Sequence, residues 1–386
     1  MAQIFTRFLL LAALAVIPLF SGSTLTPAEL GIAEARKVIQ ANPHDANGYN
    51  SLSTALVHRA QETSDDSYYE QAAIAVRRSL ELSPDNFEGL KSEVRVLLGM
   101  HDYSAALLHA RILNKRTPDD LAMYGLLTDA YSALGDYVDA EPAAQWMLNL
   151  RPGNLAAFVN AAHLREIFGD MNGAYNALNL AYQGTASSEF VDQAKLLTEM
   201  ARERRLAGQY EAAEKLANEA RKAFPQYHRA LEELANIYLG EKRYPEAIEN
   251  FRRAYEAVPT ARNSYSLASA LELAGRTEEA ARAYSDFLQK ARSESGQKNN
   301  ANLDLVFYYA DHTHELSKAL ELAEKEHAER RDIYTLDAYA WALHRNGEDG
   351  EARKQMDTAL AVGTRDPSIL THSAQIPNAS VASVTK

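Results

Sequence analysis

The side chains that could carry chemistry are few. The chain has 11 histidines and no cysteine. His312 and His314 are separated by one residue and flanked by Asp311 and Glu315, and imidazoles with carboxylates can ligate zinc. A zinc site needs three or four converging ligands, and no third one stands at a defined spacing, so this segment reads as a polar turn. The acidic stretch from Glu62 through Asp65, Asp66 and Ser67 to Glu70 lacks the ligand and glycine spacing of a calcium loop. Ser67 with Glu70 reads instead as a capping box that opens a helix. Arg202, Arg204 and Arg205 form a cationic cluster able to grip an acidic partner, with Glu199 and Glu203 near enough along a helix to neutralise it. The sequence holds no G-x-G-x-x-G, P-loop, H-E-x-x-H or G-x-S-x-G signature. Without cysteine, disulfides, thiol catalysis and thiolate metal sites are excluded. Nothing here points to an enzyme, a cofactor or a metal site.

The elements that would position these residues must be helical. Ala and Leu dominate the apolar share, while there are only 12 Pro and 18 Gly in 386 residues. Ala and Leu lose little on entering a helix. The formal charge of −12 is unsuited to gripping nucleic acid, which takes a surplus of cations. At the N-terminus, Arg7 precedes the apolar run from Phe8 to Phe20, followed by the small residues Ser21, Gly22 and Ser23. That is the pattern of a secretion signal cleaved after Ser23, too short to span a bilayer. The expected location is therefore secreted or periplasmic, without stable membrane insertion once the signal is removed. Retention as an uncleaved signal anchor is the alternative. A lipid anchor is excluded by the missing cysteine.

The strongest pattern is a repeat. Ala72, Ala106, Ala140, Ala174, Ala213, Ala247, Ala280, Ala319 and Ala352 stand at spacings of 34, 34, 34, 39, 34, 33, 39 and 33 residues. Prolines follow twelve residues later at Pro84, Pro118, Pro152, Pro225 and Pro259. Five residues before the alanine comes a turn glycine (Gly135, Gly169, Gly208, Gly275, Gly347), and three before it an aromatic (Tyr69, Tyr103, Tyr137, Tyr210, Tyr244). Twelve before it stands a mostly small residue: Ser53, displaced by an insertion, then Thr128, Ala162, Ala201, Ala235, Ala268 and Ala340. Two antiparallel helices that approach closely need small side chains at their crossing, and the two columns supply both sides of it. The proline closes the second helix of each pair. One pair cannot bury its apolar face, so the pairs must stack.

The pattern resembles the tetratricopeptide repeat family. Leu231, Leu234, Ala235 and Tyr238, then Ala247, Phe251, Ala254 and Pro259, make the best single match. Tyr124, Leu127, Thr128 and Tyr131, then Ala140 and Pro152, make a second. The resemblance covers about residues 27–366 and implies an all-α fold, a right-handed α-solenoid of tandem antiparallel helix pairs. The chain then divides into the signal (1–23), an N-terminal capping helix (24–44), units 1–4 (45–188), units 5–7 (189–292), a polar loop (293–302), units 8–9 with a C-terminal cap (303–375) and a disordered tail (376–386). Arg165 and Arg204 replace large apolar residues of the first helix, which predicts looser packing in units 4 and 5.

In this family the first helices line a concave face that holds a peptide or a segment of a protein partner. Six residues before each turn position, the groove column reads Arg95, Asp129, His163, Arg202, Asn236 and Ser269, with Arg205 in the neighbouring column. Binding is expected around units 4–6, on Arg95, Asp129, His163, Arg202, Arg205 and Asn236. The function expected is an exported protein–protein interaction scaffold. The alternatives are an accessory subunit of an envelope enzyme complex and a structural element that self-assembles through its end helices.

Overall fold

The computed structural model describes residues 25–294 and 300–377. The signal expected over 1–23 lies outside them, as do residues 378–386 of the expected tail. All of the regular structure among the described residues is helical. A single helix, α1 (Pro27–Ala41), precedes nine antiparallel pairs. Unit 1 is α2 (Ala46–Thr63) with α3 (Ser67–Leu82), unit 2 α4 (Phe87–Gly99) with α5 (Tyr103–Arg116), unit 3 α6 (Leu121–Leu134) with α7 (Tyr137–Leu150). Unit 4 is α8 (Leu155–Ile167) with α9 (Met171–Gly184), unit 5 α10 (Phe190–Leu206) with α11 (Tyr210–Ala223), unit 6 α12 (His228–Gly240) with α13 (Tyr244–Ala257). Unit 7 is α14 (Ala261–Leu273) with α15 (Thr277–Glu294), unit 8 α16 (Asn302–Asp311) with α17 (Leu316–Glu329), unit 9 α18 (Ile333–Arg345) with α19 (Asp349–Leu360). A last helix, α20 (Pro367–Gln375), packs on α18.

The alanine column sits at the crossing of each pair and is wholly buried in eight of the nine units, with Ala280 only 4% exposed. The facing column is equally dry, from Ser53 to Ala340. Within the stack α2 touches α4, α4 touches α6, α6 touches α8 and α10 touches α12, whereas the second helices meet the next unit through its first helix. First helices therefore take the inner arc.

Insertions lengthen helices. Most first helices have 13 residues, but α2 has 18 and α10 has 17. The expected polar loop starts later than read: Ser293 and Glu294 complete the last turn of α15. Ser67 does not cap α3 either. Asp66 is the N-cap, though its side chain does not cap the helix, and Ser67 is the first helical residue; a capping box does open α1, from Thr26 and Glu29. Ile376 and Pro377, read as tail, are held in place. Ile376 is buried, and the Arg353 guanidinium donates to the carbonyl oxygens of Ser373, Ile376 and Pro377.

The turn column explains itself in the backbone. Gly135, Gly169, Gly208, Gly275 and Gly347 all have positive φ, and so do the non-glycine residues His101, Lys242 and His314 at the same place in units 2, 6 and 8. Every pair from unit 2 on thus turns through one left-handed residue, whether or not glycine is there to make it cheap.

The array curls until successive superhelical turns touch. The Ser64 hydroxyl of unit 1 meets His228 Nε2 of unit 6 at 2.9 Å. The Arg331 amide donates to the Leu134 carbonyl at 3.1 Å, and the Ile333 amide to the Tyr137 hydroxyl at 3.1 Å. Gly169 lies against Gly363, in the link to α20. One core cluster accordingly joins Leu127, Tyr137 and Ile167 of units 3 and 4 to Ile333, Leu343 and Ile369 of unit 9 and α20. The turn of one unit rests on the start of the unit about six further on.

Two glycines test this closure. Gly208→Ala meets open space and should cost about 1–2 kcal/mol from its left-handed φ alone. Gly135→Ala carries the same strain, and its Cβ would also lie 2.3 Å from the Arg331 carbonyl oxygen, so it should destabilise clearly more. Urea denaturation of the two variants measures the difference. Equal losses would mean that the turns do not touch in solution.

Candidate binding groove

The inner column is laid out by the turn residues. Counting back six positions gives Arg95 on α4, Asp129 on α6, His163 on α8, Arg202 on α10 and Asn236 on α12. In unit 1 the left-handed residue is Ser64, which adds His58 on α2. His58 escaped the sequence register because the insertion shifts it, and the signal that recovers it is the backbone conformation of Ser64. His58, Asp129 and His163 are exposed; Arg95, Arg202, Arg205 and Asn236 are half-buried.

These side chains touch water inside a walled space. Burial, followed by the charge of Lys195 on α10, lowers the His58 pKa. A residue of unit 5 thus acts on one of unit 1 across the groove. Loss of bulk solvent likewise lowers Arg95 and pushes the Asp129 carboxyl up to about 6. Asp129 remains open to water but is hemmed in by protein, and it forms no hydrogen bond or ion pair among the described residues.

At units 4–6 the cations are already engaged. Arg202 donates from Nε and Nη2 to Glu166 Oε1 at 3.0 and 2.6 Å, and from Nη2 to the Tyr334 hydroxyl at 3.2 Å. Arg205 holds Glu233 with two bonds of 2.7 and 3.3 Å. Their partners come from the neighbouring units, not from the nearby Glu199 and Glu203. Each guanidinium staples one first helix to the next, and Arg202 also reaches the following superhelical turn. Arg204 stacks on Tyr175 with its guanidinium carbon 3.5 Å from the ring centre, so a cation over an aromatic face fills a place where an apolar residue was expected.

Glu203 is the odd member. Its side chain is 2% exposed. Burial first, then the negative Glu166 beside it, push its carboxyl up to about 9. It keeps its proton at neutral pH. Glu166 goes the other way: burial opposes ionisation, but the Arg202 charge overrides it and holds the carboxyl down to about 2. Burial also raises Glu199.

The histidine pair of unit 8 does not converge. His312 Nε2 lies 3.0 Å from the Tyr284 hydroxyl and its Nδ1 lies 3.3 Å from Glu272. Asp311 accepts from Trp341 and Arg345, and His314 takes the left-handed turn position facing Arg345.

A model of the tetratricopeptide repeat matches residues 198–262, from the middle of α10 in unit 5 through unit 6 to the start of α14. No curated protein matches the chain in sequence. Among solved structures, the hetero-tetramer of the APC/C proteins Cut9 and Hcn1 superposes with a TM-score of 0.54 at 15% identity, covering 90% of this chain and 59% of that one. Human IFIT1 bound to m7Gppp-AAAA superposes at 0.53 and 15% identity, covering 86% of this chain and 85% of that one. The chain thus spans less than two thirds of the first of these relatives. At such identity the likeness concerns the fold alone.

The buried carboxyls set opposite pH dependences. The folded pKa of Glu203 lies above its free value of 4.5, so its contribution to stability is complete below that value and is lost as pH rises towards 9. That of Glu166 is present above 4.5 and lost as pH falls towards 2. Glu203→Gln keeps the shape and a donor for Glu166 without the proton cost. The variant should exceed the parent at pH 8 by on the order of 1–3 kcal/mol, and its melting temperature should fall less between pH 5 and 8.5. Parallel melting curves for the two proteins across that range would show that Glu203 is not buried as described.

Proposed function

We propose that this chain, a tetratricopeptide-repeat protein, is an exported scaffold that holds a peptide or an extended protein segment against the inner face of its superhelix. The observation that carries the reading is the inner column of units 1–4. His58, Asp129 and His163 stay in contact with water in a walled groove, and Asp129 has no partner among the described residues. An exposed carboxyl that no protein group engages, set in an enclosed space, is free to accept hydrogen bonds from a ligand. Units 5 and 6, by contrast, spend Arg202 and Arg205 on holding the array together. The centre of binding therefore shifts from the middle of the array, where the sequence alone put it, towards Arg95, Asp129 and His163.

The composition supports a protein ligand over nucleic acid, since the net charge is −12. No helix among the described residues is long and apolar enough to cross a membrane. The export half of the proposal rests on Arg7, the run from Phe8 to Phe20 and the small residues after it. The repeat units take up nearly all of the remaining chain, which favours a scaffold over a catalyst.

The test is affinity capture from the envelope fraction with three proteins: the parent, Asp129→Lys with His163→Ala, and a control changed on the outer helices at Lys215→Glu. All three sites are exposed, so the fold should hold, as circular dichroism would verify. A partner retained by parent and control but weakened at least about tenfold by the inner-face variant is the expected result. Equal capture by all three would place the binding elsewhere. Peptide mass analysis of the N-terminus decides export: an intact Met1 together with cytoplasmic partners alone would refute it.

A further inference from the structure

The outer face of the array changes character halfway along. On α7, Val138, Pro142, Trp146 and Leu150 recur every fourth residue and form one outward ridge, with Val138 86%, Trp146 45% and Leu150 37% exposed. Ile112 on α5 and Leu180 on α9 stand 34 residues either side of Trp146, 54% and 49% exposed, and Leu108 on α5 is 58% exposed. These are equivalent positions of consecutive units, so the apolar groups are neighbours on one surface. The same positions in units 5–7 are Glu219, Arg253 and Asp286 in place of Trp146, and Lys215, Glu249 and Arg282 in place of Leu108. The later units carry charged groups at these positions. In unit 3 Trp146 packs beside Tyr124 of α6, with ring centroids 6.1 Å apart, and leaves the rest of its surface facing outward with its apolar neighbours.

We infer that the outer face of α5, α7 and α9 is a self-association surface, occupied by the same face of a second copy of this chain. Size, shape and charge favour that occupant. At roughly 60–120 Å² for a fully buried aliphatic side chain and 150–250 Å² for a tryptophan, these half-exposed groups present about 250–500 Å² per chain, within the range of the largest patch a monomer leaves bare. Two such faces give about 500–1,000 Å², the size of a weak and reversible interface. A ridge of every fourth residue packs into the groove beside an identical ridge, which is the commonest way for two helices to meet. The charges at the rim are self-complementary. Lys115 and Arg116 lie in the last turn of α5 and Asp139 in the first turn of α7, next to Glu141. With outer helices of the two copies antiparallel, the basic ends of one copy face the acidic ends of the other. This surface lies on the opposite side of the helix pairs from the groove, so a dimer leaves the groove free.

Sedimentation equilibrium of the processed protein, purified as the cell delivers it, tests the inference. The mass should rise from one chain to two with a dissociation constant between about 1 and 100 μM, in the range of weak, transient interfaces. Ile112→Glu with Trp146→Glu should weaken association at least about tenfold with an unchanged circular dichroism spectrum. Lys215→Glu with Arg253→Glu, at the equivalent places of units 5 and 6, should dimerise like the parent. Trp146 supplies a second readout: its emission should shift to the blue on association, against the constant signal of the buried Trp341. A parent that stays at the mass of one chain up to about 200 μM, or a double Glu variant that still dimerises, overturns the proposal. So does a monomeric parent that sediments with lipid vesicles through these residues, which would make the ridge a membrane-docking face.

Discussion

The close crossing of two helices over a pair of small side chains is the constraint from which the rest of this molecule follows. Because the alanine column admits nothing larger, each pair is thin, its two axes lie near each other, and the space beside the crossing is filled by large residues from the next unit. A pair built this way has an apolar face on both sides and no interior of its own, so only stacking completes it. First helices then crowd along a shorter arc than second helices, and the array must curve. Groove, outer face and superhelix are three results of the same local geometry.

Curvature alone would give an open spiral. Here the spiral is tight enough that its turns make contact, and this adds a class of interactions that a simple stack lacks. Ser64 with His228, Leu134 with Arg331 and Arg202 with Tyr334 link residues separated by more than a hundred positions. The inner charges take their character from this enclosure. Arg202 and Glu166 are held in a place that water reaches poorly, which is why one neighbouring carboxyl is held ionised and another keeps its proton.

The repeat was legible because periodicity survives in sequence: alanine, turn and proline columns fall at the same interval whatever the surrounding residues do. The helix pairs follow from it. Three turn residues, His101, Lys242 and His314, broke the glycine column, and only the backbone shows that they obey the same rule. His58 was hidden by an insertion that lengthened α2. The ion partners of Arg202 and Arg205 were misassigned for a different reason. Local spacing favours Glu199 and Glu203, but the true partners lie 36 and 28 residues away on adjacent units, at distances set by stacking. Contacts between superhelical turns leave no periodic trace at all. They depend on how small rotations add up over about six units, a sum that no single column records.

This summation bears on how such a chain can change over generations. In an open solenoid a unit can be duplicated or lost at little cost, since each unit touches only its neighbours. Here the start of one unit is keyed to a turn several units earlier. Gain or loss of a unit between Leu134 and Arg331 would slide every later contact out of step, much as one missing tooth spoils the mesh of a gear. The number of units between contacting turns is therefore fixed by the pitch, and variation within that span is confined to places that keep the count: helix extensions such as those in α2, α10 and α15, and substitutions on the outer face.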